Sequence, residues 1–160
     1  MYVGVIGERV LYASEADGRG LLRDWNAPEV TDTSIEETVA AYASARARLA
    51  VGGGQVWWLV APLAARVVSV TDTRAEIAVW GVRVLSSEPR SGDGVVPLAT
   101  WTTTAVELVW VDAVGWSVSS VHTSAGPVPM VETTAQPATA AAFTTALTGF
   151  ELIHRDQERG

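Results

Sequence analysis

Residues 100–111 read TWTTTAVELVWV, a run of threonine, valine and tryptophan broken by one charged residue, Glu107. Branched and aromatic side chains suit a pleated, half-buried surface, so the run predicts a β-strand. Asp112 to Gly115 follows as a tight turn, and residues 116–121 (WSVSSV) pair back on the first strand. Upstream, residues 76–85 have the same character, which gives an antiparallel meander of roughly 76–85, 99–111 and 116–121. Six of the seven tryptophans fall between Trp57 and Val121. Side chains alternate along a strand, so Trp101 points opposite to Trp110 and tryptophans sit on both faces. Trp101, Trp110 and Trp116 are the candidate interaction surface, because an exposed apolar patch marks a partner surface.

Before the meander, residues 55–60 form a short apolar run that Pro62 interrupts, and residues 65–70 form another. Thr71-Asp72-Thr73 is a turn, and residues 86–97, with Pro89, Gly92, Asp93 and Gly94, read as an exposed hairpin loop. The antiparallel sheet as a whole is expected over 55–121.

The main helix is expected over 33–51. Thr33 or Ser34 would cap it, Glu36 and Glu37 suit its positive end, and Gly52-Gly53-Gly54 stops it. Ile35, Val39, Tyr42, Ala43 and Leu49 supply its apolar side chains. The lead-in, 1–32, reads as a short hairpin around Gly7-Glu8 in residues 2–13. A turn-rich stretch follows over residues 14–28, with one helical turn around Leu21-Leu22 and a boundary at Pro28. After Gly126-Pro127 and Pro129, an alanine-rich stretch predicts a C-terminal helix over 138–148. The chain is therefore expected to be one α+β domain, 1–160, with no internal repeat.

Composition excludes several functions. With 48% hydrophobic and 18% charged residues the chain is a packed globule. A net charge of -7, with eleven arginines and no lysine, argues against nucleic acid and against an anionic membrane surface. No cysteine is present, and no apolar run approaches the ~18 residues of a membrane span. Residues 1–10 lack the pattern of a signal peptide, so a membrane anchor, if one exists, is expected outside these residues.

No reaction motif stands out. Gly52-Gly53-Gly54 lies between a helix and a strand, the reverse of a phosphate loop, and reads as a helix stop. His122 and His154 are the only histidines and have no metal-ligand spacing. No cofactor, metal or catalytic residue is expected. Asp72, Glu76 and Glu107 are the carboxylates in or near the sheet. One of them in an apolar pocket would have the raised pKa of a general base, although a turn position for Asp72 and water-facing strand positions for Glu76 and Glu107 explain them more simply. With Tyr42 they are the pocket candidates of the alternative reading, a small-molecule binder or an isomerase- or dehydratase-like enzyme. Arg66, Arg74 and Arg83 would bind an anion if they converged.

Five stretches carry a resemblance: residues 61–70 (APLAARVVSV), 75–82 (AEIAVWGV), 99–110 (ATWTTTAVELVW), 115–118 (GWSV) and 126–129 (GPVP). Together they resemble the C-terminal domain of actinobacterial membrane-anchored proteins encoded on mobile elements. Those proteins are similar in turn to conjugation assembly factors of the TcpC kind. The resemblance implies a nuclear-transport-factor-2-like cone, with N-terminal helices packed on a curved antiparallel sheet. It further implies a non-enzymatic assembly role in a conjugation or type IV secretion channel, through self-association and contacts with other channel subunits. The implied location is the extracytoplasmic face of the bacterial cell membrane, the alternative being cytoplasmic. The family supplies no catalytic residues.

Overall fold

The computed structural model describes residues 9–49, 56–87, 95–129 and 145–153. The fold is α+β. Helices α1 (Glu15–Trp25) and α2 (Asp32–Leu49), preceded by helical residues 9–12, lie against a five-stranded antiparallel sheet. Its strands are β1 (Val56–Val70), β2 (Arg74–Ser87), β3 (Val95–Val111), β4 (Gly115–Ala125) and β5 (Glu151–Leu152), in the order β4-β3-β2-β1-β5.

Both helices begin on capped ends. The Ser14 hydroxyl accepts the Asp17 N–H at 3.1 Å, and Glu15 and Asp17 sit in the first turn of α1. Thr31 Oγ1 accepts the Ser34 N–H at 3.2 Å, so Thr31, not Thr33 or Ser34, caps α2. The turn-rich reading of residues 14–28 is corrected: α1 is a continuous helix of 11 residues that runs through Gly18 and Gly20. Gly18 is buried, and a side chain there would meet Val10 and Val39, so this glycine serves helix packing, not a turn. The expected hairpin in residues 2–13 is corrected where the structure describes it, since residues 9–12 are helical. Its turn at Gly7-Glu8, like Gly52-Gly53-Gly54, lies outside the described residues.

Val10, Leu22, Ile35 and Val39 form the core between the helices, with Leu21, Val30 and Tyr42 packed against it. At about 25 cal/mol per Å² of apolar surface, this burial is the main force holding the helical layer together. Among the described residues, two hydrogen bonds from backbone amides tether that layer to the sheet. The Ala27 N–H donates to the Val118 carbonyl at 2.7 Å, and the Trp58 N–H donates to the Tyr12 hydroxyl at 2.8 Å.

The sheet is longer than the expected meander. Pro62 does not interrupt β1: residues 56–70 form one strand whose register slips between Pro62 and Ala64 and again between Val67 and Ser69. Residues 95–97 belong to β3 and not to a loop, and β4 continues to Ala125. The β1–β2 and β3–β4 turns fall where expected, the latter with Ala113 at φ 66° and Gly115 at φ 98°. A fifth strand was not anticipated: Glu151 and Leu152 pair with Ala65 and Ala64. Of the expected C-terminal helix over 138–148, residues 138–144 lie outside the described residues; residues 145–146 are helical and 147–149 form a turn.

Candidate functional site

Register assigns the two faces of the sheet. Arg83 pairs with Val60 and Thr100, Thr104 with Thr123, and Val106 with Val121. These residues share the face toward the helices, because alternate positions of a strand point the same way. Trp80, Glu76 and Ala78 on β2, with Thr103, Glu107 and Ala105 opposite them, share the other face.

Between the helical layer and the first face lies a cleft of about 610 Å³. Leu22, Val30, Val118 and Val121 give it apolar walls, and Thr38, Ser120 and Thr123 add hydroxyls. Tyr42 enters from α2 and Arg83 from β2. The Arg83 Nη2 donates to Thr123 Oγ1 at 3.2 Å, and Thr123 Oγ1 is hydrogen-bonded to Thr104 Oγ1 at 3.1 Å. Thr104 is 2% exposed, so this hydroxyl pair satisfies a polar group that burial would otherwise penalise. Burial pushes the Tyr42 phenol above the ordinary tyrosine value, and the Arg83 charge pulls it partly back. The Tyr42 ring meets Trp58 edge to face, with centroids 6.4 Å apart. The buried Trp58 indole N–H has no partner among the described residues.

Of the four pocket candidates, Tyr42 lines the cleft and the three carboxylates do not. Asp72 is exposed in the β1–β2 turn. Glu76 and Glu107 stand directly opposite each other on the face away from the helices. The carboxylate that does line the cleft is the exposed Glu29. The three arginines do not converge. Arg66 lies over the Phe150 ring at 5.0 Å and donates to the Thr148 carbonyl, Arg74 is exposed at the β1–β2 turn, and only Arg83 reaches the cleft. Sequence reasoning missed Thr123 and Val121. It placed Arg83 on the 76–85 strand, separated from Arg66 and Arg74, as a solvent-exposed or ion-paired residue and not as a wall of the cleft. The signal was positional: Arg83 alternates with Val79 and Gly81, but its neighbours required the β3–β4 register.

The tryptophans divide between the faces. Trp110 and Trp116 are cross-strand partners, edge to face at 5.6 Å, and are 45% and 43% exposed. Trp101 is half-buried on the opposite face, stacked on Trp80 at 5.0 Å. Trp80 is itself buried, and its indole N–H donates to the Pro127 carbonyl at 3.1 Å. Trp101 is therefore not brought together with the other two. Exposed apolar side chains extend along β1, at Trp57, Leu59, Val67 and Val70.

Among the described residues no group of three or more His, Asp or Glu could hold a metal ion, and no helix is long and apolar enough to cross a membrane. No family model matches the sequence, and no curated protein matches it significantly. Among solved structures, the intermembrane space region of the chloroplast protein ARC6 is similar over 71% of this chain and 98% of its own. The identity is 18% and the TM-score 0.38, a likeness that bears on neither fold nor function.

Proposed function

We propose that this chain is a non-enzymatic interaction domain of a conjugation or type IV secretion-like machine, built as a nuclear-transport-factor-2-like cone. Its contacts are with second copies of itself and with other channel subunits. It acts at the extracytoplasmic face of the cell membrane. The observation that supports the reading is the exposed apolar surface of the sheet. Trp110 and Trp116 stand together near the β3–β4 turn with Val114, which is 70% exposed, and Val67 and Val70 on β1 are 62% and 66% exposed. Scattered exposed apolar side chains are ordinary, but a paired tryptophan cluster at one end of a sheet is the composition of an interface core. The resemblance of the region from about Pro62 to Phe150 to conjugation assembly proteins supports this choice of machine.

Among the described residues, the carboxylates that the isomerase- or dehydratase-like alternative would use lie outside the cleft, and the carboxylate that lines it, Glu29, is exposed. Sedimentation of the purified chain over a rising concentration series tests the interaction role. Association is expected, and a Trp110→Ser, Trp116→Ser double variant is expected to reduce it. A chain that stays monomeric at high concentration, and that binds no purified channel subunit from its host, overturns the reading.

A further inference from the structure

Among the described residues the cleft holds one arginine, Arg83, and no carboxylate forms an ion pair with it. We propose that the cleft binds a small monocarboxylate with an apolar body, the carboxylate held by the Arg83 guanidinium and the Tyr42 hydroxyl, the body along Leu22, Val30 and Val121. This goes beyond the interaction role and does not depend on it.

The argument begins with Arg83. It is half-buried and, among the described residues, makes one hydrogen bond, to Thr123, although a guanidinium carries five donors. Among the described residues no carboxylate lies within ion-pair distance of it, whereas Arg19 and Arg23 are both paired on the surface. An arginine drawn partly out of water is normally offset by an anion, because desolvating an unpaired charge is unfavourable. In a chain with eighteen acidic residues, an unpaired arginine at the wall of a cleft leaves the position of its anion open.

Tyr42 adds a second donor. Its hydroxyl has no hydrogen-bond partner among the described residues, and burial keeps the phenol protonated. The volume of about 610 Å³ falls in the usual range of small-ligand sites. The rest of the wall sets the ligand class. A single cation matches a single negative charge. A phosphate ester or polyanion would keep uncompensated charge in an acidic protein, beside Glu29. The apolar residues on α1, β4 and the segment between the helices then favour a hydrocarbon body over a sugar.

Calorimetry and intrinsic tryptophan fluorescence on the unaltered chain, titrated with octanoate, 4-phenylbutyrate and octan-1-ol, test this. At least one of the two carboxylates should saturate a single site per chain. The alcohol should bind about tenfold more weakly, the loss expected when a charged hydrogen bond is removed. Arg83→Gln should abolish that discrimination, and Tyr42→Phe should weaken the carboxylate while sparing the alcohol. The proposal is overturned if neither carboxylate saturates, if acid and alcohol bind alike, or if inorganic phosphate competes as well as octanoate. It is likewise overturned if Arg83→Gln folds by circular dichroism and still prefers the acid. Should Arg83→Gln fail to fold, the acid–alcohol comparison on the unaltered chain decides alone.

Discussion

Gly81 stands directly opposite Pro62 across the β1–β2 ladder, and the missing side chain of the glycine makes room for the proline to remain in the strand. A Cβ on Gly81 would run into the Ala61 carbonyl oxygen and come within 3.0 Å of Pro62 Cα. Both atoms belong to backbone, which cannot swing aside as the end of a side chain can. The β1 register slips just beyond this point, between Pro62 and Ala64. A bulge is one of the few places where a sheet tolerates proline.

Gly81→Ala is therefore expected to destabilise the chain by about 1–3 kcal/mol, the range of an overpacked core site. Urea unfolding measures it. A loss below about 0.5 kcal/mol, the scale of an ordinary surface change, would show that the two strands move apart freely.

The same pair explains what could and could not be read in advance. The strands around residues 76–85 and 100–121 were legible because their composition is uniform and their turns are marked. The course of β1 was not, because Pro62 is a breaker by itself and is permitted only by Gly81, 19 positions away in the sequence and opposite it across the ladder. Helix α1 was misread for a related reason: Gly18 and Gly20 look like turn residues until Val10 and Val39 are seen packed around Gly18. In the cleft, Tyr42 could be singled out as an aromatic on a helix face. The carboxylates grouped with it in the alternative reading were chosen only because they lie in or near the sheet. The simpler expectation, a turn for Asp72 and water-facing strand positions for Glu76 and Glu107, agrees with the exposure of Asp72 and Glu107. Strand parity sends Glu76 and Glu107 to the face away from the helices.

Gly20 offers a test of α1. It is exposed in the interior of the helix, and nothing lies within 4 Å of an added Cβ. Gly20→Ala should stabilise the chain by about 0.5–1 kcal/mol through helix propensity and a less flexible unfolded state. In thermal melts this corresponds to a rise of about 1–4 °C. At Gly18 the added methyl would make ordinary contact with Val10 at 3.6 Å, whereas Gly18→Leu would push α1 off α2 and lower the Tm. A fall for Gly20→Ala would mean that residues 15–25 are not helical in solution.

The α1–α2 contact also carries a pH signature. Arg19 Nε donates to Glu36 Oε1 at 2.6 Å, and this hydrogen bond holds the Glu36 carboxyl below the ordinary glutamate value. A carboxyl with a depressed folded-state pKa contributes stability above its unfolded value, near about 4.3. That contribution fades as the pH falls through the lower folded-state value. Glu36→Gln should therefore lower the Tm near neutral pH, and the two curves should converge in acid. Glu36 is exposed and Arg19 partly so, so the gap is small and should shrink in high salt. A gap that widened on acidification would contradict the pairing.

Arg46 fastens the helical residues 9–12 to α2. Its Nη1 donates to the carbonyls of Leu11 at 3.2 Å and Ala13 at 2.8 Å. Those carbonyls lie at the end of the helical turn that the Ala13 N–H closes on the Arg9 carbonyl, where backbone acceptors run out of helical partners. Leu11 is 1% exposed, so its carbonyl gains little from water if the guanidinium is removed. Arg46→Ala should cost about 1–3 kcal/mol, the range for losing hydrogen bonds to a charged group and leaving an acceptor unsatisfied. Because Tyr12 receives the Trp58 N–H, loosening this stretch should also reach the start of β1. Hydrogen exchange should then speed up at the Ala13 and Trp58 amides before it does at Val106 in the centre of the sheet. Equal acceleration at all three would instead mean that Arg46 stabilises the whole fold and not this one junction.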